Sequence, residues 1–460
     1  MRKIWSAFVI MAALCVAPVA QSETLADALI SAYKTSNLLD QNQAVLRAAD
    51  EDAAIAVARL RPVVNFVMQG SYRKNDNEKA SFIGFPRPFY DSLDGAATLS
   101  ASILIYAGGR GKLSIELARE SVLATRASLV NVEQEVLLAA VNAFVDVRLQ
   151  SEIVNLRESN LRLITQELRA AQDRFDVGEV TLTDVSLAEA RLAAARSGLA
   201  AAQGNLMVAR ERYNATVGHY PGKLAGLPKL PVTAKSQEAA RAIAVRTHPF
   251  VIQAQHNAKV AELRVAIAKT ALGPTVSGEA ALREAFDGAG SATLSLSVNQ
   301  TLYAGGELSA LYRQSLAGKE VAQANLHQTS VVVTENIGRA WANLAVANAS
   351  IESGARQVSA AQKAFDGVRE EATLGARTTL DVLNAEQELL SARATKLEAE
   401  ASRYVGVYQV LSSMGVLTAD YLRLGIPSFD PEAYYNAVKD APATSSRGKK
   451  LDAILKKIGN

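Results

Sequence analysis

Asp173-Arg-Phe-Asp-Val-Gly-Glu-Val-Thr-Leu-Thr-Asp-Val185 is answered later in the same chain by Glu370-Glu-Ala-Thr-Leu-Gly-Ala-Arg-Thr-Thr-Leu-Asp-Val382, with Gly178 opposite Gly375 and Asp184 opposite Asp381 at a constant shift of 197 residues. The tetrapeptides Tyr106-Ala-Gly-Gly109 and Tyr303-Ala-Gly-Gly306 keep that shift. Further upstream it becomes 212, aligning Arg61-Pro62 with Gly273-Pro274 and Tyr33 with Val245, so 15 residues are inserted into the first copy between Pro62 and Tyr106. A period this long exceeds any solenoid repeat, and the chain reads as one half-molecule duplicated and fused.

The motif itself is a turn between two helices. Gly178 suits the left-handed residue that ends one helix; Thr181 then caps the next, with Asp184 three residues on to complete a capping box. Val180 and Val185 are placed as a hydrophobic staple across the cap. The second copy keeps Gly375, Thr378, Asp381 and Val382 but puts Arg377 where the staple valine stood. A local stabilising rule broken in one copy alone points to function at that place.

On either side of each turn the chain reads as long helix. No proline occurs from Tyr90 to Tyr220 or from Thr275 to Ile426, whereas Pro221, Pro228 and Pro231 crowd the junction between the copies. Lys112 to Val177 also lacks glycine and repeats apolar residues every seven positions at Ile115, Val122, Leu129, Val136 and Ala143, the seam of a coiled coil. At about 1.5 Å per residue such a helix runs on the order of 90 Å, the length of a projecting rod or tube.

A different period precedes each rod. Val64, Phe66, Met68 and Gly70 alternate with Asn65, Val67, Gln69 and Ser71, and Leu99, Ala101, Ile103 and Ile105 alternate with Thr98, Ser100 and Ser102. The second copy offers Val276, Gly278, Ala280 and Leu282, then Leu294, Leu296 and Val298, against Ser277, Glu279, Ser295, Ser297 and Asn299. Four strands in two hairpins result, each near the roughly 9–11 residues that cross a bilayer. Pro62 and Pro274 mark the entrances. Gly108-Gly109 and Gly305-Gly306 at the exits suit hinges from strand to helix, and Tyr106 and Tyr303 suit an interfacial aromatic girdle. Alternation alone fits a soluble sheet with one wet face equally well. Edges decide: four strands in lipid leave unpaired backbone donors on both sides, so a spanning sheet requires several chains to close one barrel.

Composition narrows the class further. Met-Arg-Lys, an apolar run from Ile4 to Val19, and Ala20-Gln21-Ser22 form a secretory signal cleaved after Ala20 or Ser22. The single cysteine, Cys15, lies within it, behind a Leu14 too large for ordinary lipoprotein processing, so the mature chain is expected to carry neither disulfide nor acyl anchor. Of the formal charge of +3, Arg2 and Lys3 supply two, and the segment from Arg447 to Asn460 holds five basic residues against one aspartate; the remaining body is slightly acidic and offers no phosphate-binding face, so no nucleic-acid partner is expected. After the signal no stretch reads as a transmembrane helix. His219, His248, His256 and His327 lack metal-ligand spacing and no phosphate loop follows a strand, so neither catalysis nor a cofactor is expected.

The duplicated unit of helix, hairpin and coiled-coil hairpin, with its Tyr-Ala-Gly-Gly exits and two turn motifs, resembles the TolC family of outer-membrane efflux channels over nearly the whole mature chain to Leu424. His248-Pro249 resembles the family's Asn-Pro in the leading helix, where the first copy has Ser36-Asn37. The resemblance implies a mainly α fold with membrane β: a homotrimer whose twelve strands make a barrel continuous with an α-helical barrel. It further implies an exit channel for efflux or type I secretion, set in outer-membrane lipid with its tunnel in the periplasm. The partners implied are a periplasmic adaptor protein and an inner-membrane transporter of RND or ABC type. By the same resemblance Arg377 and Asp381 are gate residues at the closed tip, Thr183 and Asp184 are partners of that arginine, and the family's tyrosine latch and second aspartate are replaced by Ala372 and Asn384. Three Asp381 carboxylates gathered on one axis are expected to attract cations and to raise one another's pKa values. Plain helix capping is the alternative role for Asp184 and Asp381. A periplasmic coiled-coil adaptor and a structural coiled-coil protein are the rival readings of the chain.

The expected organisation is then a signal over 1–22; a first repeat over 23–223 with leading helix 24–60, β-hairpin 62–106 and coiled-coil hairpin 110–218; a linker over 224–235; a second repeat over 236–426 with leading helix 236–272, β-hairpin 274–303 and coiled-coil hairpin 307–415; and a periplasmic tail over 427–460. The inserted stretch Lys74 to Gly95, with Phe82, Phe85, Phe89 and Tyr90, reads as an extracellular loop.

Overall fold

The computed structural model describes residues 22–73, 92–427 and 429–440. The signal as far as Gln21, the aromatic residues Phe82 to Tyr90 and the basic end from Arg447 to Lys457 lie outside the described residues. In chain order the elements are α1 (Leu25–Thr35), α2 (Asn37–Ala58), β1 (Val63–Arg73), β2 (Ser92–Tyr106), α3 (Arg110–Asp176), α4 (Leu182–Val217), α5 (Gln237–Thr247), α6 (Pro249–Thr270), β3 (Thr275–Ala285), β4 (Gly290–Asn299), α7 (Glu307–Thr373), α8 (Thr379–Ser413) and α9 (Pro431–Val438). The order repeats as helix pair, strand pair, helix pair, and α3 and α7 have the same length of 67 residues.

Each leading helix is two helices, not one. In the second copy Pro249 has no N–H to give and its ring crowds the preceding turn, so His248 turns extended at φ −68°, ψ 126° and becomes the cap of α6, its Nδ1 accepting from the Phe250 N–H at 3.2 Å. In the first copy Ser36 breaks the chain at φ −72°, ψ 103° without any proline. Burial lowers the His248 pKa to about 4, so this imidazole is a neutral structural cap.

The chain divides into two compact units that cut across the duplication. Among the described residues, one is drawn from 22–37, 133–237 and 338–426, the other from 38–73, 92–132, 238–337, 427 and 429–440. Like parts of the two copies share a unit because α3 and α7 each pass from one unit into the other.

In the first unit α1 starts on a complete capping box, Thr24 with Asp27. Its far end is fastened to the end of α4: the Ser31 and Thr35 hydroxyls both donate to the Val217 carbonyl, at 2.9 and 3.0 Å, one of the acceptors a helix C-terminus leaves open. Tyr213, fully buried beside this junction, donates to Glu23. Of the seam read from the sequence, Val136 and Ala143 are buried along the part of α3 in this unit and Val122 and Leu129 along the part in the other, while Ile115 is only partly covered. One window of α3 reaches a mean hydropathy of 1.2, apolar and long enough for a membrane span by composition, where the sequence reading expected none; 56% of that window is buried by the protein's own packing.

The second unit holds the sheet. Its strands run β1-β2-β3-β4, all neighbours antiparallel, so the two hairpins join through β2 and β3 and leave β1 and β4 as edges. β2 begins at Ser92, earlier than the loop reading of 74–95 allowed, and at 15 residues exceeds the expected strand length. The register collects side chains by chemistry. Phe66, Leu99, Leu282 and Ala292 stand in one row and Val64, Ala101, Ala280 and Leu294 in the next, all on one face, while Asn65, Ser100, Ala281 and Thr293 make up a row of the other. The apolar face is bare: Phe66 is 67% exposed, Leu294 87% and Leu296 68%.

Part of the expected tail is helical. α9 packs on α2 and α3: Tyr434 donates to Glu51 at 2.7 Å, and Arg126 pairs with Glu432 at 3.4 Å while lying 5.3 Å from the Tyr435 ring centre. In the same unit Asp50 of α2 is fully buried, and both carboxylate oxygens lack a hydrogen bond. Burial raises its pKa to about 6, against the pull of Arg126. A carboxyl that holds its proton more firmly when folded loses stability as pH climbs from about 4 to 6. Asp50→Asn is therefore expected to raise the thermal midpoint by about 2 °C or more at pH 8 and to leave it unchanged near pH 4, measured by calorimetry in detergent.

Candidate functional site at the hairpin turns

Both turns belong to the first unit and are built alike. α3 ends in two turn bonds, the Gly178 N–H to the Phe175 carbonyl and the Glu179 N–H to the Arg174 carbonyl, each 2.9 Å; α7 ends in the matching pair, Gly375 to Ala372 at 3.1 Å and Ala376 to Glu371 at 2.9 Å. Gly178 at φ +80° and Gly375 at φ +77° occupy the left-handed region, which a Cβ would strain. The strand-to-helix hinges use the same freedom: Gly108, Gly109, Gly305 and Gly306 all have positive φ between 59° and 91°.

The turns then start their second helices on carboxylates. Asp184 Oδ2 accepts from the Thr181 N–H at 3.0 Å and from its hydroxyl at 2.8 Å. Asp381 Oδ2 accepts from the Thr378 N–H at 3.1 Å and its hydroxyl at 2.9 Å, while the Thr378 hydroxyl oxygen accepts the Asp381 N–H at 3.3 Å. The Thr378 backbone and side-chain bonds hold the Asp381 carboxyl below the usual range, with a smaller contribution from Arg377. These bonds act within one protomer and favour the ionised carboxylate.

Arg377 is half exposed and donates from Nε to Glu371 Oε2 at 2.8 Å, closing a loop within its own turn instead of reaching Thr183 or Asp184 in the same protomer. Thr183 is exposed. Asn384 accepts from Arg191 Nη2 of α4 at 2.9 Å, so the residue in place of a second aspartate joins the two coiled-coil hairpins. Ala372, in place of the latch, is buried with Phe365, Val382, Leu389 and Ala392. Val185 is buried as a staple residue should be, whereas Val180 is only partly covered.

Two residues missed by the sequence reading link the hairpins. Leu383 leaves its own coil and enters the apolar cluster of the first, among Ile164, Ala171, Val185, Ala188, Leu192 and Ala195. Glu386 is 5% exposed and accepts from Asn160 Nδ2 of α3 at 2.6 Å. The signal was present: Val382, Leu383, Leu389 and Leu390 follow helical spacing, and Glu386 falls inside that stripe, where a charge is out of place.

Among the described residues no cluster of histidine, cysteine, aspartate or glutamate is arranged to hold a metal. A sheet apolar on one face and polar on the other, joined by glycine hinges to long duplicated coiled-coil hairpins, defines a protein of the outer-membrane channel class. The comparisons place it more narrowly. The family model described as outer membrane efflux protein matches residues 29–219 and 243–416, and the chain belongs to that family, the TolC family of channels. It is 34% identical over 428 residues to the outer membrane efflux protein BepC of Brucella suis biovar 1, covering 92% of this chain and 91% of that one. It is 24% identical over 389 residues to the proteases secretion protein PrtF of Dickeya chrysanthemi, covering 78% and 82%. The fold matches the CmeC outer membrane channel of Campylobacter jejuni with a TM-score of 0.76 at 16% identity, over 90% of this chain and 89% of that one. The protein is an outer-membrane channel, of a family of channels and not of enzymes, which sets aside the adaptor and structural readings.

Proposed function

We propose that three copies of this chain close one barrel and one helical tunnel, and that the assembly is the exit duct of a tripartite system gated at the helical tip. One observation carries the reading: the sheet has an exposed, mainly apolar face, with Glu284 at its loop end, a mainly polar opposite face and two edge strands, β1 and β4. An open edge in hydrocarbon strands backbone donors and acceptors, so β4 of one copy pairs β1 of the next until the ring closes, apolar side to lipid and polar side to water. Three copies supply twelve strands, and the glycine hinges steer each strand into its rod.

Substrate arrives from an inner-membrane transporter of RND or ABC type through a periplasmic adaptor, and the energy is that transporter's. At the tip Arg377, Asp381, Thr183, Asp184 and Asn384 form the gate, Asp381 giving the entrance its charge. The Arg377–Glu371 pair is exposed on both sides, so it tethers weakly and a docking partner can release it.

The test is mass and conductance together. The purified mature chain is expected to run as a trimer in detergent and to open ion-conducting pores in planar bilayers; a detergent-free monomer without conductance refutes the duct. BepC is an efflux protein by its description and PrtF a secretion protein for proteases. Drug sensitivity of a deletion strain, set beside its secreted protein profile, separates these two cargoes.

A further inference from the structure

We propose that Glu386 and Asn160 form a proton-controlled tie between the two coiled-coil hairpins of each protomer, drawing them together in acid and loosening them as the medium turns alkaline. Its consequence for transport rests on the gate reading above; the tie itself does not.

Glu386 stands on α8 and points across to α3 of the first hairpin. Oε1 takes the Asn160 amide at 2.6 Å. Oε2 is buried with no hydrogen-bond partner. The group borders a cavity of about 300 Å³ together with Asn160, Phe365, Asp366, Arg369 and Arg393. Three arginines from three elements face this carboxyl, and each is engaged elsewhere: Arg191 of α4 with Asn384 at 2.9 Å, Arg369 of α7 with Glu167 at 3.6 Å, and Arg393 of α8 itself with Gln362 at 2.6 Å. The other carboxylates nearby, Glu167 of α3 and Asp366 of α7, add repulsion or are themselves engaged, Asp366 with Gln362 at 2.9 Å. A buried carboxylate with one satisfied oxygen and no cation of its own is costly, and a proton on Oε2 removes the charge.

Desolvation accordingly raises the Glu386 pKa to about 7, with Asn160, Arg191 and Arg369 opposing the rise and Glu167 adding to it. The sign follows from linkage. Once the hairpins part, Glu386 meets water and returns to the ordinary value near 4.5. The packed state therefore binds the proton more tightly, and its advantage is complete below about pH 4.5, erodes as pH rises to about 7, and is gone above that. This behaviour is distinct from the charge of Asp381, whose carboxyl is held low and does not titrate in that window.

The test uses the full chain in lipid nanodiscs, spin-labelled at Glu179→Cys and Leu374→Cys on the two exposed turns and diluted with unlabelled chains, so that only distances within one chain are read. Between about pH 5.5 and pH 8 the ratio of separated to packed distances is expected to rise about thirtyfold in the otherwise unaltered chain. Glu386→Gln keeps the acceptor for Asn160 without the charge, and should hold the packed distance at every pH. Asn160→Ala withdraws the donor that stabilises the anion, and should move the midpoint to higher pH. A ratio that stays flat with pH, a Glu386→Gln chain that follows the unaltered one, or an Asn160→Ala midpoint that does not move overturns the tie. Conductance recorded on the same proteins separates the two claims: distances that respond while conductance does not leave the tie standing and refute the gate.

Discussion

Leu383→Ala is expected to open the resting channel. The side chain is 1% exposed and inserted among six residues of the other hairpin, with Leu161 and Leu168 packed at the margin. Truncating a leucine so placed removes about 2–5 kcal/mol, transfer and cavity terms together. The loss falls on the packing of one hairpin against the other, because Leu383 contributes to the first hairpin's cluster while its neighbour Val382 serves its own coil with Ala361, Phe365 and Ala372. Since about 1.4 kcal/mol is a factor of ten in population, even the lower bound moves the closed-to-open ratio by more than tenfold. The measurement is resting conductance in planar bilayers, alongside sensitivity of the expressing strain to antibiotics normally too large to enter. Val382→Ala is the control: it weakens the coil itself and should lower the thermal midpoint more than it raises conductance. Resting conductance equal to that of the unaltered protein, in a Leu383→Ala chain that still assembles, would show that the hairpins are not what closes the tip.

The features legible in the sequence were those dictated by the local chain. Gly178 and Gly375 announced their turns because a left-handed residue before a Thr-x-x-Asp box has few other uses, and the structure places both glycines and both boxes so. The strand periods were equally plain, since alternation needs no knowledge of a neighbour. What a strand pairs with does need it: the joining of β2 to β3, which fuses two hairpins from opposite halves of the chain into one sheet, has no local signature. The broken leading helices divide in the same way. His248-Pro249 carried a breaker that was read only as a family likeness, whereas Ser36-Asn37 holds two residues that helices tolerate, and only packing reveals that break. Arg377 shows a further limit, for the sequence marks the residue by the staple it displaces but not the partner, and within one chain Glu371 is nearest. Glu386 lies inside the seam, away from the charges that mark the turn. A carboxylate on an apolar stripe is the more unusual of the two.

Asp381 is expected to carry selectivity, and two substitutions separate that role from capping. Its carboxylate accepts two bonds from Thr378, and those bonds hold its pKa below the ordinary carboxylate value. In the proposed trimer, three such carboxylates about the axis of a closed tip would make a ring of fixed negative charge, which would concentrate cations and exclude anions at a constriction. Asp381→Asn preserves an oxygen that accepts from the Thr378 N–H and hydroxyl while discarding the charge. Asp381→Ala discards both. In a salt gradient across a bilayer the reversal potential of both variants should collapse toward that of an unselective pore, but only the alanine should also lower the thermal midpoint. Asp184, with the same two bonds to Thr181, supplies the internal comparison: Asp184→Asn keeps its cap and should retain most of the cation preference. If Asp381→Asn conducts with undiminished preference for cations, the carboxylate is there to start α8 and for nothing else, and the charge at the entrance must be sought on other residues.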